Sequence, residues 1–417
     1  MTPDPSTTED PGEQRRRQRR RQAASTRARR RGWFRLVALL VLVGIAAVTV
    51  ISLAGGSSHD GGSPETQDAP NVSTGKHGFA VPPLPDPHNV YAADRPGELA
   101  PAVRGDPNLV YVPNSDSNTV SVINPRTYKV IDQFPVGVNP QHVVPSYDLK
   151  TLWVNNDQGN SLTAIDPRTG RPGRTVPVTD PYNLYFTPDG RYAIVVSERR
   201  GRLDFRDAHT MKLHHSLPVP CSGPNHMDFD ADGRYLLLSC EFDGRVVKVD
   251  VANEKVVGSM TLDPGGMPQD VKLSPDGNDF YVADMMRGGV WIVDAGRLRK
   301  SGFIPTGAGA HGLYVSRDSR SLYVSNRMEG SVSVISFASR KTMQKWRIPG
   351  GGSPDMGGVS ADGRVLWLAG RYNAVVYAFN TRTGKVIAKI PVGNGPHGLC
   401  VYPQPSRYSL GHTGVFR

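Results

Sequence analysis

Residues 109–124 read LVYVPNSDSNTVSVIN: an alternating apolar run ending at Asn114, a polar turn, and a second alternating run ending at Asn124. Period-two alternation on both sides of a short polar turn marks an antiparallel strand pair, each strand buried on one face or both. The same pair recurs along the chain. The first runs are LWVNN (152–156), YAIVVSE (192–198), YLLLSCE (235–241), FYVAD (280–284), LYVSN (322–326) and VLWLAG (365–370). Their partners are SLTAID, RLDFRD, RVVKVD, GVWIVD, SVSVIS and VVYAFN. A short third strand follows, as in KVIDQFPVG and KVIAKIPVG, and then a fourth that begins at a proline or glycine corner, as in DVKLSPDG (270–277).

Four strands per repeat, seven repeats and a period close to 42 residues predict an all-β, seven-bladed β-propeller over residues 101–403. One four-stranded sheet cannot bury both its faces, and radial stacking of blades does so while leaving only short edges. The repeat phase predicts ring closure. The chain enters at the second strand of a blade (Leu109) and ends its last repeat with an inner strand (His397–Tyr402). That strand is expected to complete the first blade beside 109–114, leaving 404–417 as a tail outside the pattern.

The motifs resemble those of the YVTN-type (YncE-like) β-propeller repeat family, a WD40-like architecture. The residues that carry the likeness are Tyr111-Val112-Pro113-Asn114, Tyr323-Val324-Ser325-Asn326, Val271 to Gly277 (VKLSPDG) and Asn380 to Val386 (NTRTGKV). The resemblance covers roughly residues 105–402 and specifies fold far better than activity. It implies surface-layer or binding proteins, with lactonases and haem-binding propellers among similar folds. Blade three departs from the pattern at Arg199-Arg200-Gly201-Arg202.

The net charge of +11 is concentrated in the N-terminal tail. Residues 1–35 hold eleven arginines and four acidic residues, a balance of +7, and the remainder carries only +4. No zinc-finger spacing or basic-aromatic pattern accompanies the arginines, so nucleic acid is not expected as a partner. The apolar run 36–54 (LVALLVLVGIAAVTVISLA) is uncharged over 19 residues, about 28 Å of helix, and matches a bilayer. Arginine on one flank predicts a cytoplasmic tail (1–35), a single-pass signal anchor at the cell membrane and an extracytoplasmic propeller. The alternative is a signal peptide cleaved after Ser52-Leu53-Ala54. Residues 55–100 are rich in Gly, Ser, Pro and Asp and read as a disordered stalk.

The corner before each inner strand repeats a polar position: His142, Asn183, His226, Asp270, His311, Asp355 and His397. Equivalent positions in a propeller face one mouth of the channel, so these residues are the candidate ligand-binding ring. A second set, at the ends of the second strands, includes Glu198, Glu241 and Asp284, with Arg199, Arg327 and Arg371 close by. Imidazole and carboxylate are ligands for Zn, Cu or Fe, histidine is a base near neutral pH, and arginine grips anions bidentately. The plain alternative is that such polar corners hydrogen-bond the backbone of the next blade. Cys221 and Cys240 fold back near each other around the turn at 230–233 and are expected to form a disulfide. Cys400 reads as a small core residue.

Gly-x-Ser-x-Gly, HExxH and P-loop patterns are absent. The sequence therefore predicts a membrane-anchored module binding an unidentified small molecule or protein through a His/Asp pocket. The alternatives are a metal-assisted, lactonase-like hydrolase and a metal- or haem-binding propeller. No cofactor is named by any motif, and whether the chain is an enzyme is left open.

Overall fold

The computed structural model describes residues 80–412 and 414–417. The arginine-rich tail, the apolar segment 36–54 and the first part of the expected stalk lie outside the described residues. Among the described residues no helix is long and apolar enough to cross a membrane.

The strands form seven antiparallel sheets, six of four strands and one of six. Blade 1 combines 109–114, 119–124 and 129–135 with the distant strand Cys400–Tyr402, paired through Leu109↔Tyr402, Val110↔Val401 and Tyr111↔Cys400. The ring therefore closes through the pairing that the repeat phase predicts. The inner strands of blades 2 to 7 are Pro140–Pro145, Asn183–Phe186, Pro224–Phe229, Pro268–Leu273, Ala310–Val315 and Pro354–Val359. The outermost strands are amphipathic or polar, as in Lys129–Pro135, where only Phe134 is buried. Burial thus grades from a dry inner strand to a wet outer edge, which is why the inner segments carry apolar runs with few charges.

The core lies between blades. One cluster joins Ile194, Val196 and Phe205 of blade 3 to Met227, Leu236 and Leu238 of blade 4. Another joins Val110 and Val112 of blade 1 to Trp367 and Val376 of blade 7. Asp-Gly turns after the inner strands place Gly190, Gly233, Gly277 and Gly363 at φ between +71° and +75°, a left-handed conformation that glycine adopts without a Cβ penalty.

Two segments expected to lie outside the domain are folded onto it. In residues 80–100, assigned from composition to the disordered stalk, Val90 and Tyr91 are buried. The Tyr91 hydroxyl donates to the Leu273 carbonyl (2.7 Å) and the Val90 N–H to the Pro275 carbonyl (2.8 Å). The apolar pair Val90-Tyr91 inside a Pro- and Asp-rich stretch supplies the anchoring. Residues beyond the last repeat form a hairpin, Ser409–Gly411 with Val415–Phe416, that extends the blade 3 sheet through Gly411↔Tyr185. The Ser409 N–H donates to Tyr147 O and its hydroxyl to Pro145 O of blade 2. The hairpin therefore wedges between the inner strands of blades 2 and 3.

Candidate functional site

Each inner strand starts opposite the end of its neighbouring second strand, as in Pro140↔Asn156, Pro224↔Cys240 and Pro268↔Asp284. The turns after the second strands and the polar corners thus lie at the same end of their sheets. In five blades the ladder then skips two residues, resuming at Val143, Met227, Val271, Leu313 and Gly357. The skip frees two consecutive residues from pairing and splits the expected single ring into two tiers. His142, His226 and Asp270 stand immediately before the point of resumption, a level shared by Asn183 of blade 3. His311 and Asp355 stand one residue earlier, and so does His397 of blade 1. All seven side chains are buried.

The outer tier is internally bonded. Asp355 accepts from His397 Nδ1 at 2.8 Å and lies 3.2 Å from both His311 Nδ1 and Arg327 Nε. Asp270 serves the backbone: its carboxylate accepts from Val271 N and from Leu313 N of the next blade, both at 2.9 Å. For Asp270 the plain reading of a polar corner is therefore correct.

It fails for the inner histidines. His142 and His226 are fully buried, and neither ring nitrogen of either residue has a hydrogen-bond partner. Their rings stand 5.4 Å apart. A fifth histidine, His412, carried by the hairpin, completes a triangle with them, 5.2 Å from His142 and 4.5 Å from His226, ring centre to ring centre. Its Nδ1 lies 3.3 Å from Asn183 Nδ2 and its Nε2 3.6 Å from Asp270 Oδ1. One candidate nitrogen from each of the three rings lies within 4.8 Å of the others. A buried polar group left without a partner costs about 1–3 kcal/mol, and five such nitrogens cluster here. Burial holds all five channel histidines well below the usual imidazole pKa, so their lone pairs are available at neutral pH.

The residue after the hairpin ties it to blade 4. Arg417 Nη2 donates to Asp228 Oδ1 at 2.9 Å, and its guanidinium sits over Tyr91, 4.9 Å from the ring centre. At the mouth, Tyr182 packs edge-on to His142 (5.4 Å) and His226 (6.0 Å). Burial, reinforced by Glu241, Asp157 and Asp180, pushes Glu198 up to about 8. Burial also raises Glu241, which accepts from Asn225.

Three expected site residues are committed elsewhere. Asp284 accepts from the Met267 N–H and Trp291 Nε1, so it orders its own turn. Arg199 is tied to Asp180 (2.6 Å) and Asp157 (3.2 Å). Arg371 donates to Ser115 Oγ and the Gly395 carbonyl. Cys221 and Cys240 are joined by a disulfide with Cα atoms 5.4 Å apart, and Cys400 is a buried free thiol.

The molecule is thus a seven-bladed propeller with a histidine-lined channel. The profile of the YNCE-like beta-propeller family matches residues 97–407, and the chain belongs to that family. No curated protein matches it. Among solved structures it is similar to a functionally unknown protein from Desulfotomaculum acetoxidans, with 17% identity and a TM-score of 0.61, covering 70% of this chain and 98% of that one. Hydrazine synthase of Kuenenia stuttgartiensis aligns at 18% identity and a TM-score of 0.57, over 68% and 97% of the two chains. A putative 6-phosphogluconolactonase from Bacteroides uniformis aligns at 19% identity and a TM-score of 0.56, over 70% and 99%. At these identities the likeness is one of fold.

Proposed function

We propose that this chain is a binding propeller, tethered outside the cell membrane by residues 36–54, that holds its ligand inside the central channel. The observation that carries the reading is the convergence of five buried, neutral imidazoles on one channel, three of them with unpartnered nitrogens. A rigid, pre-formed cluster of lone pairs favours capture of a ligand over turnover. A lactonase-like hydrolase needs ionised carboxylates beside the histidines, yet Asp284 is spent on its own turn, Glu241 is held by Asn225, and burial pushes Glu198 up to about 8.

The test is native mass spectrometry of the full-length chain purified in mild detergent from its own membranes. The wild type is expected to carry an adduct that a His226→Ala/His311→Ala variant lacks. Identical masses, each equal to the bare polypeptide, would refute the reading.

A further inference from the structure

We infer that His142, His226 and His412 form a site for one transition-metal ion of the zinc or copper class, which the hairpin completes. The inference rests on the channel being the binding site and names the chemical class of what it binds.

The donor set argues for the class. All three ligands are neutral nitrogens of borderline softness, which suit zinc and copper and are poor partners for the hard ions magnesium and calcium. Around a tetrahedral ion with nitrogens at about 2.0–2.1 Å, ligand atoms lie about 3.4 Å apart. The three rings already bring one nitrogen each within 4.8 Å of the others, so small ring rotations close the site. Orphaned nitrogens on His142 (both), His226 (both) and His412 (Nε2) are the second, independent sign of a missing partner. His311 and His397 stand outside the set because the ligand atoms that fall within 4.8 Å of one another are those of His142, His226 and His412.

The surroundings carry both signs of charge: Asp270 acts on His142 and His226, against Arg371 on His142 and the buried Lys272 on His412. Asp270 Oδ1 lies 3.6 Å from His412 Nε2 and offers a counter-charge as a positioning residue. Gly398 is the clearest accommodation. A Cβ there would fall 2.4 Å from His142 Cδ2, so the absence of a side chain at 398 is what lets the His142 ring lie where it does.

The site is also split in sequence in a telling way. His142 belongs to blade 2 and His226 to blade 4, and the blade between them contributes only the short Asn183. His412 reaches that gap because its N–H donates to the Leu184 carbonyl of blade 3 at 3.0 Å. Without the hairpin two ligands remain, too few for a tight site.

The full-length chain in detergent, stripped with a chelator, would be given Zn²⁺, Cu²⁺ or Co²⁺ in separate arms. Bound metal would be counted by elemental analysis, and the cobalt form read by its visible absorption. Wild type is expected to bind one ion per chain and to give the intense cobalt bands of a tetrahedral, nitrogen-rich site. His142→Ala, His226→Ala and His412→Ala are each expected to weaken binding more than about 100-fold, because even outer-shell losses cost about 10–100-fold. His209→Ala, in an exposed turn away from the channel, is expected to keep its metal. Thermal melts of each metal-free variant guard against misfolding, and a variant that fails to fold is replaced by His→Gln at the same position. No binding by folded wild type, or full binding by the His142→Ala/His226→Ala double variant, would overturn the inference. If the native chain carries an organic adduct and no metal, this inference falls while the channel-binding reading stands. If it carries neither, both fall.

Discussion

Arg417→Ala is the most informative single change, because it tests whether residues beyond the repeats belong to the domain. The guanidinium and the Asp228 carboxylate are 2.9 Å apart, with side chains only 3% and 0% exposed. Removing one partner of a buried pair strands the other, at about 3–5 kcal/mol. Asp228 keeps two backbone donors, Phe229 N (2.7 Å) and Leu273 N (2.8 Å), so the low end applies, about 3 kcal/mol. With an unfolding entropy of about 2.1 cal/mol/K per residue, some 340 ordered residues give about 0.7 kcal/mol/K, and 3 kcal/mol becomes a fall of about 4 °C in Tm. Differential scanning calorimetry reads the shift, and amide exchange across 406–416 reports whether the hairpin loosens. Asp228→Asn in the same chain is expected to recover part of the loss, since it removes the stranded charge. A single variant melting within 1 °C of wild type, with protection of 406–416 unchanged, would refute the docked hairpin.

Four further outcomes follow from the same contacts. Replacing both Cys221 and Cys240 by Ser opens a loop with a sequence separation of 19 and is expected to cost about 3 kcal/mol, seen as a lower urea midpoint. Burial, partly offset by Arg317, Arg417 and Lys272, raises Asp94 to about 7. A carboxyl raised on folding holds its proton longer in the native state, so its contribution to stability is greatest below pH 4 and falls as pH rises towards 7. Asp94→Asn should flatten that part of the stability–pH curve measured by urea titration, and an unchanged slope would count against the burial. Gly398→Ala is expected to displace the His142 ring and cost about 1–3 kcal/mol by overpacking, with loss of channel ligand in native mass spectra. Tyr111→Ala deletes a fully buried ring from the closing blade and is expected to destabilise by about 3–5 kcal/mol, measured by thermal melt.

The fold was legible because each blade repeats its alternation on both sides of a polar turn, and closure was legible because the repeats begin and end out of phase. The channel was legible only to within one residue. Sequence alone aligns His311, Asp355 and His397 with His142 and His226, since a proline or alanine precedes each corner. The two-residue skip in the ladder, as between Ala310 and Leu313, is a property of pairing that no single strand displays. Likewise Glu198 and Glu241 align by eye with Asp284, but the second strands of blades 3 and 4 end at Ser197 and Cys240, one residue earlier. His412 was invisible to repeat logic because it lies beyond the last repeat. The signal available was Tyr408-Ser409-Leu410, an alternating run too short to stand out. Val90 and Tyr91 were hidden the same way, by Pro- and Asp-rich neighbours.

These misses share a cause that also explains how the site exists at all. A propeller built from like repeats sets equivalent residues evenly around its axis, and an even ring of long side chains spreads its donors instead of focusing them. Three nitrogens within 4.8 Å require the symmetry to be broken. Here it is broken three times on one side of the channel: blade 3 offers short Asn183 at its ring position, Gly398 leaves room for the His142 ring, and the hairpin fills the gap with a residue that belongs to no blade. Asn183 Nδ2 lies 3.3 Å from His412 Nδ1 and donates to it, which holds that ring in the gap. Asn183→Ala should therefore leave the fold and the His142–His226 pair intact while weakening channel binding through a less ordered His412 ring. Unchanged affinity in isothermal titration would show that His412 is positioned by its backbone alone.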